Sequence, residues 1–410
     1  MTNSQRRSGR AVVVVLGLLA STLFTRSWAQ QAAMQSPASK LVTLKLKFDG
    51  ARSCGGNNCH DKAGDDAPPA EPGHEFTIWN NQDSHHKSFD GLSNATSKKI
   101  AGALKIADAT TDAKCVTCHA LSVPTELRGE KFNIRDGNTC GQCHGPSEKW
   151  LKPHSEKGWL DKQRASNNHD ALLNALGLYD TKPLVARAEI CVSCHLAIDH
   201  ELVVAGHPQP MFDLDYFTAL EPKHWKDPEG YFGTKVWLAG QMVAVKESMQ
   251  QLATRATADK ASEGTKAAYQ QAMAHLTVFK SAAATLGLDV AGMDVKSDAM
   301  ATDAANVAKL ADGLKAKVDA WEPKESPLPM LKKIAAEKSL AKDYGLFGMK
   351  QMGYALSALY NSAAKGGKFK DTDKDAMNKM IDDKFFPEKG EIKADTFEKD
   401  LADIVAKLPQ

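Results

Sequence analysis

The sequence lacks a strong excess of charge of either sign. Its 52 lysine and arginine residues stand against 50 aspartate and glutamate residues, which gives a formal net charge of +2. Proteins that bind nucleic acid use a basic surface to neutralise phosphates. The near balance therefore argues against a nucleic-acid partner. After residue 29 the sequence also has no apolar run long enough to span a bilayer, so we expect no transmembrane segment.

The N-terminus has the pattern of an export signal. Arg6, Arg7 and Arg10 precede an apolar run over residues 11–20, and Ser27-Trp28-Ala29 offers small residues before a cleavage point. This pattern predicts a signal peptide over residues 1–29, too short in its apolar part for a membrane span. Its removal takes away four arginines and no acidic residue, which leaves 48 basic groups against 50 acidic groups. We expect a periplasmic, secreted or cell-surface protein.

Cysteine and histidine are absent from most of the C-terminal half. Residues 233–410 contain no cysteine and a single histidine, His275, whereas residues 50–230 contain all eight cysteines and twelve of the thirteen histidines. This contrast predicts two structural regions in the mature chain, residues 30–232 and residues 233–410.

The C-terminal region has the apolar spacing of amphipathic helices. In residues 234–257, the side chains of Trp237, Met242, Val245, Met249 and Leu252 recur near helical spacing. Similar patterns cover 260–286, 298–321, 343–364 and 394–408, with Pro327, Pro329, Gly366 and Gly367 between them. The region is therefore predicted to be a helical bundle. We interpret its methionines and His275 as structural residues rather than metal ligands.

The eight cysteines all occur in pairs. Three pairs read CVTCH, CGQCH and CVSCH, ending at His119, His144 and His195. The C-x-x-C-H pattern is typical of covalent haem attachment. Two thiols three residues apart lie on one helical turn and can bond one porphyrin, and the next histidine is then placed to bind the iron.

Two other roles for paired cysteines fit less well. A disulfide between residues three apart closes a very small loop and stabilises little. A zinc ribbon does not require a histidine directly after the second cysteine of each pair.

The first pair has a longer spacer. The stretch CGGNNCH runs from Cys54 to His60, and Gly55 and Gly56 give the backbone the freedom to loop between the two thiols. We expect it to bind haem as the other pairs do, which predicts four covalently attached haem c groups. The predicted cofactor-binding residues are Cys54, Cys59, His60, Cys115, Cys118, His119, Cys140, Cys143, His144, Cys191, Cys194 and His195.

Four porphyrins in about 180 residues would supply most of the apolar surface to be buried in this region. We therefore predict a mainly α protein, in which a tetrahaem c-type cytochrome domain of short helices and loops precedes a C-terminal helical bundle.

Each iron has a second axial position, and its occupant decides the function. A second histidine gives an electron carrier, whereas an empty position allows a small molecule to bind. The histidines of this region outside the cysteine motifs are His74, His85, His86, His154, His169, His200, His207 and His224.

Several motifs together resemble a known family. Trp79 is followed by Ser84-His85-His86, CGQCHGP spans residues 140–146, and CVSCH ends at His195. Over residues 50–220 this combination is similar to the tetrahaem cytochrome c-554 family of periplasmic electron carriers. The long helical C-terminal half and the first motif's spacer depart from that family.

The resemblance implies specific distal ligands. His86 and His154 match the family's ligand positions, and His207, or failing it His169, is another. The resemblance also implies that the haem on His119 has no protein ligand on its distal side. His74 is an added histidine that could fill that position. The predicted iron ligands are His60, His119, His144, His195, His74, His86, His154 and His207.

Electron transfer between redox partner proteins through four haems is the first hypothesis for function, and it requires no catalytic residues. The alternative is an enzyme that uses one five-coordinate haem for redox chemistry on a small nitrogen or sulfur compound. A third hypothesis gives the helical half a role in assembling a homo-oligomer.

Overall fold

The protein is described by a computed structural model that covers residues 41–56, 59–61, 73–387 and 392–409. The predicted signal peptide lies outside these residues. The described chain is 62% helical and has no β-strand. Its only extended pairing is an isolated bridge between Phe48 and Arg128. The predicted mainly α fold is confirmed.

The cysteine-containing half consists of short helices joined by turns and single 3-10 turns. Its α-helices are α1 (Glu75–Asn81), α2 (Ala95–Ala103), α3 (Ala113–His119), α4 (Cys140–His144), α5 (Trp159–Ser166), α6 (His169–Leu176), α7 (Leu184–His195), α8 (His200–Val204) and α9 (Leu214–Leu220).

The C-terminal half contains the long helices. They are α10 (Phe232–Asp259), α11 (Glu263–Leu286), α12 (Met300–Asp312), α13 (Lys315–Ala320), α14 (Leu328–Ala335), α15 (Ser339–Gly367), α16 (Asp371–Phe385) and α17 (Phe397–Val405). Gly345 interrupts α15 with a φ of 53°. No helix among the described residues combines the length and the apolarity that a membrane span requires.

The helical periodicity of the sequence matches the packing of α10. Trp237, Met242, Val245, Met249 and Leu252 are all completely buried. They belong to one core cluster, and within the bundle α10 contacts mainly α11, α12 and α15. The predicted helix over residues 234–257 is therefore correct, and it extends two residues further at each end.

Two helices of the bundle were not predicted from the sequence. Helix α14 begins at Leu328, next to the prolines that were interpreted as a break, because proline fits the first turn of a helix. Helix α16 is mostly polar and buries only Met377, Ile381 and Phe385. These three residues are four apart, so the helix presents a narrow apolar stripe that the polar composition hides.

One hydrophobic core joins the helical half to the end of the cysteine-containing half. It includes Val185, Ala188 and Val192 of α7 and Leu214 of α9 together with the bundle side chains. The backbone of α10 comes close to α9 at Gly240, where an added Cβ would lie 2.5 Å from Cβ of Leu214. Helix α7, which ends in the fourth cysteine motif, is thus packed directly on the bundle.

A polar network crosses the same core. Gln241 Nε2 donates to Asp213 Oδ2 and to Gln351 Oε1, each over 3.0 Å. His275 Nδ1 lies 3.0 Å from Gln241 Oε1. Because buried polar groups cost free energy unless they are hydrogen-bonded, this chain of contacts fixes the relative positions of α9, α10, α11 and α15.

His275 makes the stability of the protein sensitive to acid. Burial lowers the pKa of His275 to about 3, below its ordinary value of 6.5. Below pH 6.5 the unfolded chain therefore binds a proton that the folded chain does not, and stability falls as the pH falls toward 3. We expect the wild type to lose about 2 kcal/mol through this group between pH 8 and pH 5.

The measurement is urea unfolding of the wild type and His275→Asn at pH 8, 6 and 5. Asparagine keeps a donor toward Gln241 and does not titrate. The wild type should lose more stability than the variant as the pH falls. Asp213, whose pKa burial raises to about 6, acts in the opposite direction in both proteins. Equal pH dependence of the two proteins would contradict the prediction.

Candidate haem-attachment sites

Three of the four cysteine motifs end a helix. CVTCH closes α3, CGQCH forms α4 and CVSCH closes α7. The helical spacing sets the two thiols of each motif on one face and the histidine beside the second thiol. After α4, Gly145 turns the chain with a φ of 80°, and a side chain there would collide with the backbone oxygen of Gly177. The glycine of CGQCHGP is therefore required by the close packing of this turn.

The first motif is not helical. A 3-10 turn over Ala51–Ser53 leads into Cys54, and the chain then turns so that the backbone N–H of Cys59 donates to the carbonyl oxygen of Gly56 over 2.7 Å. The backbone N–H of His60 points back to the carbonyl oxygen of Cys54 at 3.4 Å. These two backbone contacts belong to a turn, not to a helix.

The eight cysteines form no disulfide with one another, and thiols of different motifs approach one another. The thiols of Cys54 and Cys140 lie near enough to shift each other's pKa, and so do those of Cys118 and Cys194. Among the described residues, the cysteines do not gather with one another or with histidine into three or more ligand atoms within 4.8 Å. This arrangement does not form the tetrahedral set of a zinc ribbon.

The four histidines that follow the pairs differ in their surroundings. His60 Nδ1 lies 2.8 Å from Glu75 Oε2, and His119 Nδ1 lies 3.1 Å from the carbonyl oxygen of Ser88. Burial lowers the pKa of His144 and of His195 to about 4. The neutral imidazole that results is the form that binds a metal.

Three of these histidines face a second histidine. The ring centroids are 5.9 Å apart for His60 and His154, 6.3 Å for His119 and His207, and 6.0 Å for His85 and His195. A metal–imidazole nitrogen bond is about 2.0–2.1 Å long, so two imidazoles on opposite faces of one metal have centroids about 6 Å apart. The three ring separations therefore fit a pair of axial ligands.

The predicted distal ligands have different positions. His154 faces His60, and His207 faces His119, the histidine for which the resemblance implied no protein partner. His86 packs against the indole of Trp79, with centroids 4.4 Å apart. The Nδ1 atoms of His86 and of His74, which precedes α1, are buried without a hydrogen-bond partner. Such orphaned ring nitrogens are compatible with a ligand role for either residue.

His85 is not among the iron ligands predicted from the sequence, and the structure sets it against His195. Its Nδ1 lies 3.0 Å from Asp83 Oδ1. A ring nitrogen of His85 and carboxylate oxygens of Asp83 and Glu221 all lie within 4.8 Å of one another. The sequence shows the doublet His85-His86, but spacing alone does not tell which of two adjacent histidines faces another histidine.

The side chains at these sites are the kinds that attach a porphyrin and bind its iron. Each site combines two thiols with a histidine. At the sites of His60, His119 and His195 the ring of a second histidine lies at the spacing that an iron ion needs. Paired thiols followed by histidine on a mainly helical chain define the class of c-type cytochromes.

The comparison with known families agrees with this class. Residues 53–145 match the family described as cytochrome c554 and c-prime. The match includes the first three cysteine pairs, and the predicted resemblance is confirmed over it. Covalently bound haem c and a role in electron transfer follow from the family. No curated protein and no solved structure matches the chain.

The adjacent histidines of the doublet can be separated by mutation. We expect His85→Ala to convert one low-spin iron to high-spin iron in electron paramagnetic resonance, because the ring of His85 faces His195. His86→Ala is the matched control and should keep the low-spin count of the wild type. If His86→Ala produced the high-spin signal and His85→Ala did not, the contact between His85 and His195 would not be an axial pair.

Proposed function

We propose that the protein is an exported electron carrier with four covalently bound haem groups, one at each cysteine pair. One observation carries this proposal: the four cysteine motifs lie close to one another. Each motif has a thiol near a thiol of another motif. Sites that exchange electrons must lie close together. The sequence spacing alone does not require this arrangement.

The contacts suggest an order of sites. Cys54 of the first motif meets Cys140 of the third, and Cys118 of the second meets Cys194 of the fourth. Cys143 of the third motif lies within electrostatic reach of Cys191 and Cys194 of the fourth. The four sites then form one series: first, third, fourth, second. Haem supplies a one-electron centre at each site.

The residues of the chain have the remaining roles. Each cysteine pair would hold a porphyrin, and the histidine after it would bind the iron. We propose His154, His207 and His85 as the second axial ligands opposite His60, His119 and His195. Backbone carbonyls orient several of these rings: the Nδ1 atoms of His154 and His207 contact the carbonyl oxygens of Leu151 and Pro208. A fixed ring orientation keeps the ligand nitrogen aimed at the iron.

Export is supported by the sequence alone. A signal peptide over residues 1–29 and attachment of haem after crossing the membrane agree with a periplasmic or cell-surface location. The near-neutral charge of the mature chain favours redox partner proteins over nucleic acid. The helical half supports the fourth site, because its core includes α7.

The number of haem groups is tested by intact mass. We expect the exported protein to carry the mass of four haem groups on a chain that starts after Ala29. The double variant Cys54→Ser, Cys59→Ser should carry three, and Cys191→Ser, Cys194→Ser is the matched control that should also carry three. If the wild type carried three haem groups and the variant without Cys54 and Cys59 carried the same three, the first pair would not be a haem-attachment site.

One observation favours a second function, redox chemistry on a small molecule. Within the described part of the chain, no histidine ring is paired with His144 as His154 is with His60. The groups that influence His144 electrostatically include His224, Asp180 and Arg164. An iron held by His144 with an open distal position could bind a small nitrogen or sulfur compound.

Ligand binding by the wild type separates the two functions. If the iron at His144 is open, nitric oxide or cyanide should bind one iron in four, and a high-spin signal should be present before the ligand is added. His224→Ala should leave that signal unchanged. A fully low-spin wild type that binds neither ligand would exclude the second function, and a high-spin signal that appears only in His224→Ala would identify His224 as the missing ligand.

A further inference from the structure

The first attachment site lacks the helix that orients the histidine at the other three. His119, His144 and His195 each occupy the last turn of a helix. His60 follows a turn, and its ring has no helical backbone behind it. Another part of the chain must therefore fix the direction of its imidazole.

Helix α1 has that role. Its first residue, Glu75, places Oε2 2.8 Å from Nδ1 of His60. The backbone N–H of Phe76 donates to the carbonyl oxygen of His60 over 2.9 Å, and the hydroxyl of Thr77 donates to Asp61. Three consecutive residues of α1 thus hold His60, the last residue of the first motif, and Asp61, which follows it.

The carboxylate is itself held in place. Glu75 Oε2 accepts the backbone N–H of Gly73 over 2.9 Å. The side chain is largely buried, with 23% of its surface exposed. It also lies at the N-terminus of α1, where the helix dipole stabilises negative charge. These contacts hold the carboxylate of Glu75 in place and direct it at His60.

We infer that Glu75 is a positioning residue that orients His60 and lowers the reduction potential of the haem attached at Cys54 and Cys59. The inference rests on the proposed function, because it requires haem at the first pair. A carboxylate that accepts a hydrogen bond from Nδ1–H keeps the proton on Nδ1 and leaves Nε2 for the iron. It also makes the imidazole a more basic ligand. A more basic ligand stabilises oxidised iron over reduced iron.

The other histidines show what Glu75 adds. His119 donates to the neutral carbonyl oxygen of Ser88. On the opposite side of the first site, His154 also contacts a neutral carbonyl, that of Leu151. Among the described residues, no other histidine that follows a cysteine pair contacts a carboxylate. At the fourth site a carboxylate, that of Asp83, contacts the proposed distal ligand His85. At the first site the carboxylate contacts the histidine of the attachment motif itself.

The experiment compares Glu75→Gln with the wild type by potentiometric titration of the haem-loaded protein. Glutamine keeps an acceptor oxygen and removes the charge. One midpoint potential should rise by the equivalent of about a tenfold change in the preference for reduced iron, which is 59 mV for one electron. The other three potentials should stay unchanged. Glu75→Asp restores the charge and should return the potential toward that of the wild type.

Glu148→Gln is the matched control. Glu148 is an exposed carboxylate of the same half that accepts the backbone N–H of Lys47 and contacts no histidine. Its substitution should leave all four potentials unchanged. Equal potentials in Glu75→Gln and the wild type, or an equal shift of all four potentials, would overturn the inference.

Intact mass separates this failure from failure of the proposed function. Four haem groups without a potential shift in Glu75→Gln would overturn only the role of Glu75. A wild-type mass that shows no haem at the first pair would overturn the proposed haem count and the inference together.

Discussion

The position of two thiols and one histidine on a single turn is the constraint on which the cysteine-containing half depends. A porphyrin bonded at both thiols has little freedom, and the histidine beside the second thiol must then meet the iron. Short helices such as α3 and α4 are sufficient because each has to fix only one such turn. The apolar clusters of this half are small, which agrees with a region whose interior is completed by cofactor. The first motif has a turn in place of a helix, and helix α1 contacts its histidine.

The helical half is connected to this constraint through α7. The apolar side of α7 belongs to the bundle core, and its end is the fourth motif. On the polar side, Glu189 forms ion pairs with Lys246 of α10 and Lys315 of α13. Because Glu189 is two residues before Cys191, these contacts fix the turn that bears the thiols. The division of the chain at residue 232 remains a prediction, and the packing of α7 shows that the two regions share one core.

The parts of the fold that could be predicted from the sequence were those with a strong local pattern. The apolar spacing in residues 234–257 defines α10 because a long buried helix repeats its buried positions many times. Helices α14 and α16 were missed because proline at a helix start resembles a break and because three apolar residues in a polar segment are a weak pattern. The family resemblance was confirmed over residues 53–145, where the motifs are dense.

The sequence by itself determined which residues can attach a cofactor, because the two thiols and the histidine of each motif are neighbours along the chain. Only the tertiary structure decided which rings face three of these histidines: His154, His207 and His85 are separated from their partners by 94, 88 and 110 positions in the sequence. It also decided that Glu75 reaches His60 and that thiols of different motifs meet. These contacts depend on how short helices pack against one another, and no local spacing encodes that packing.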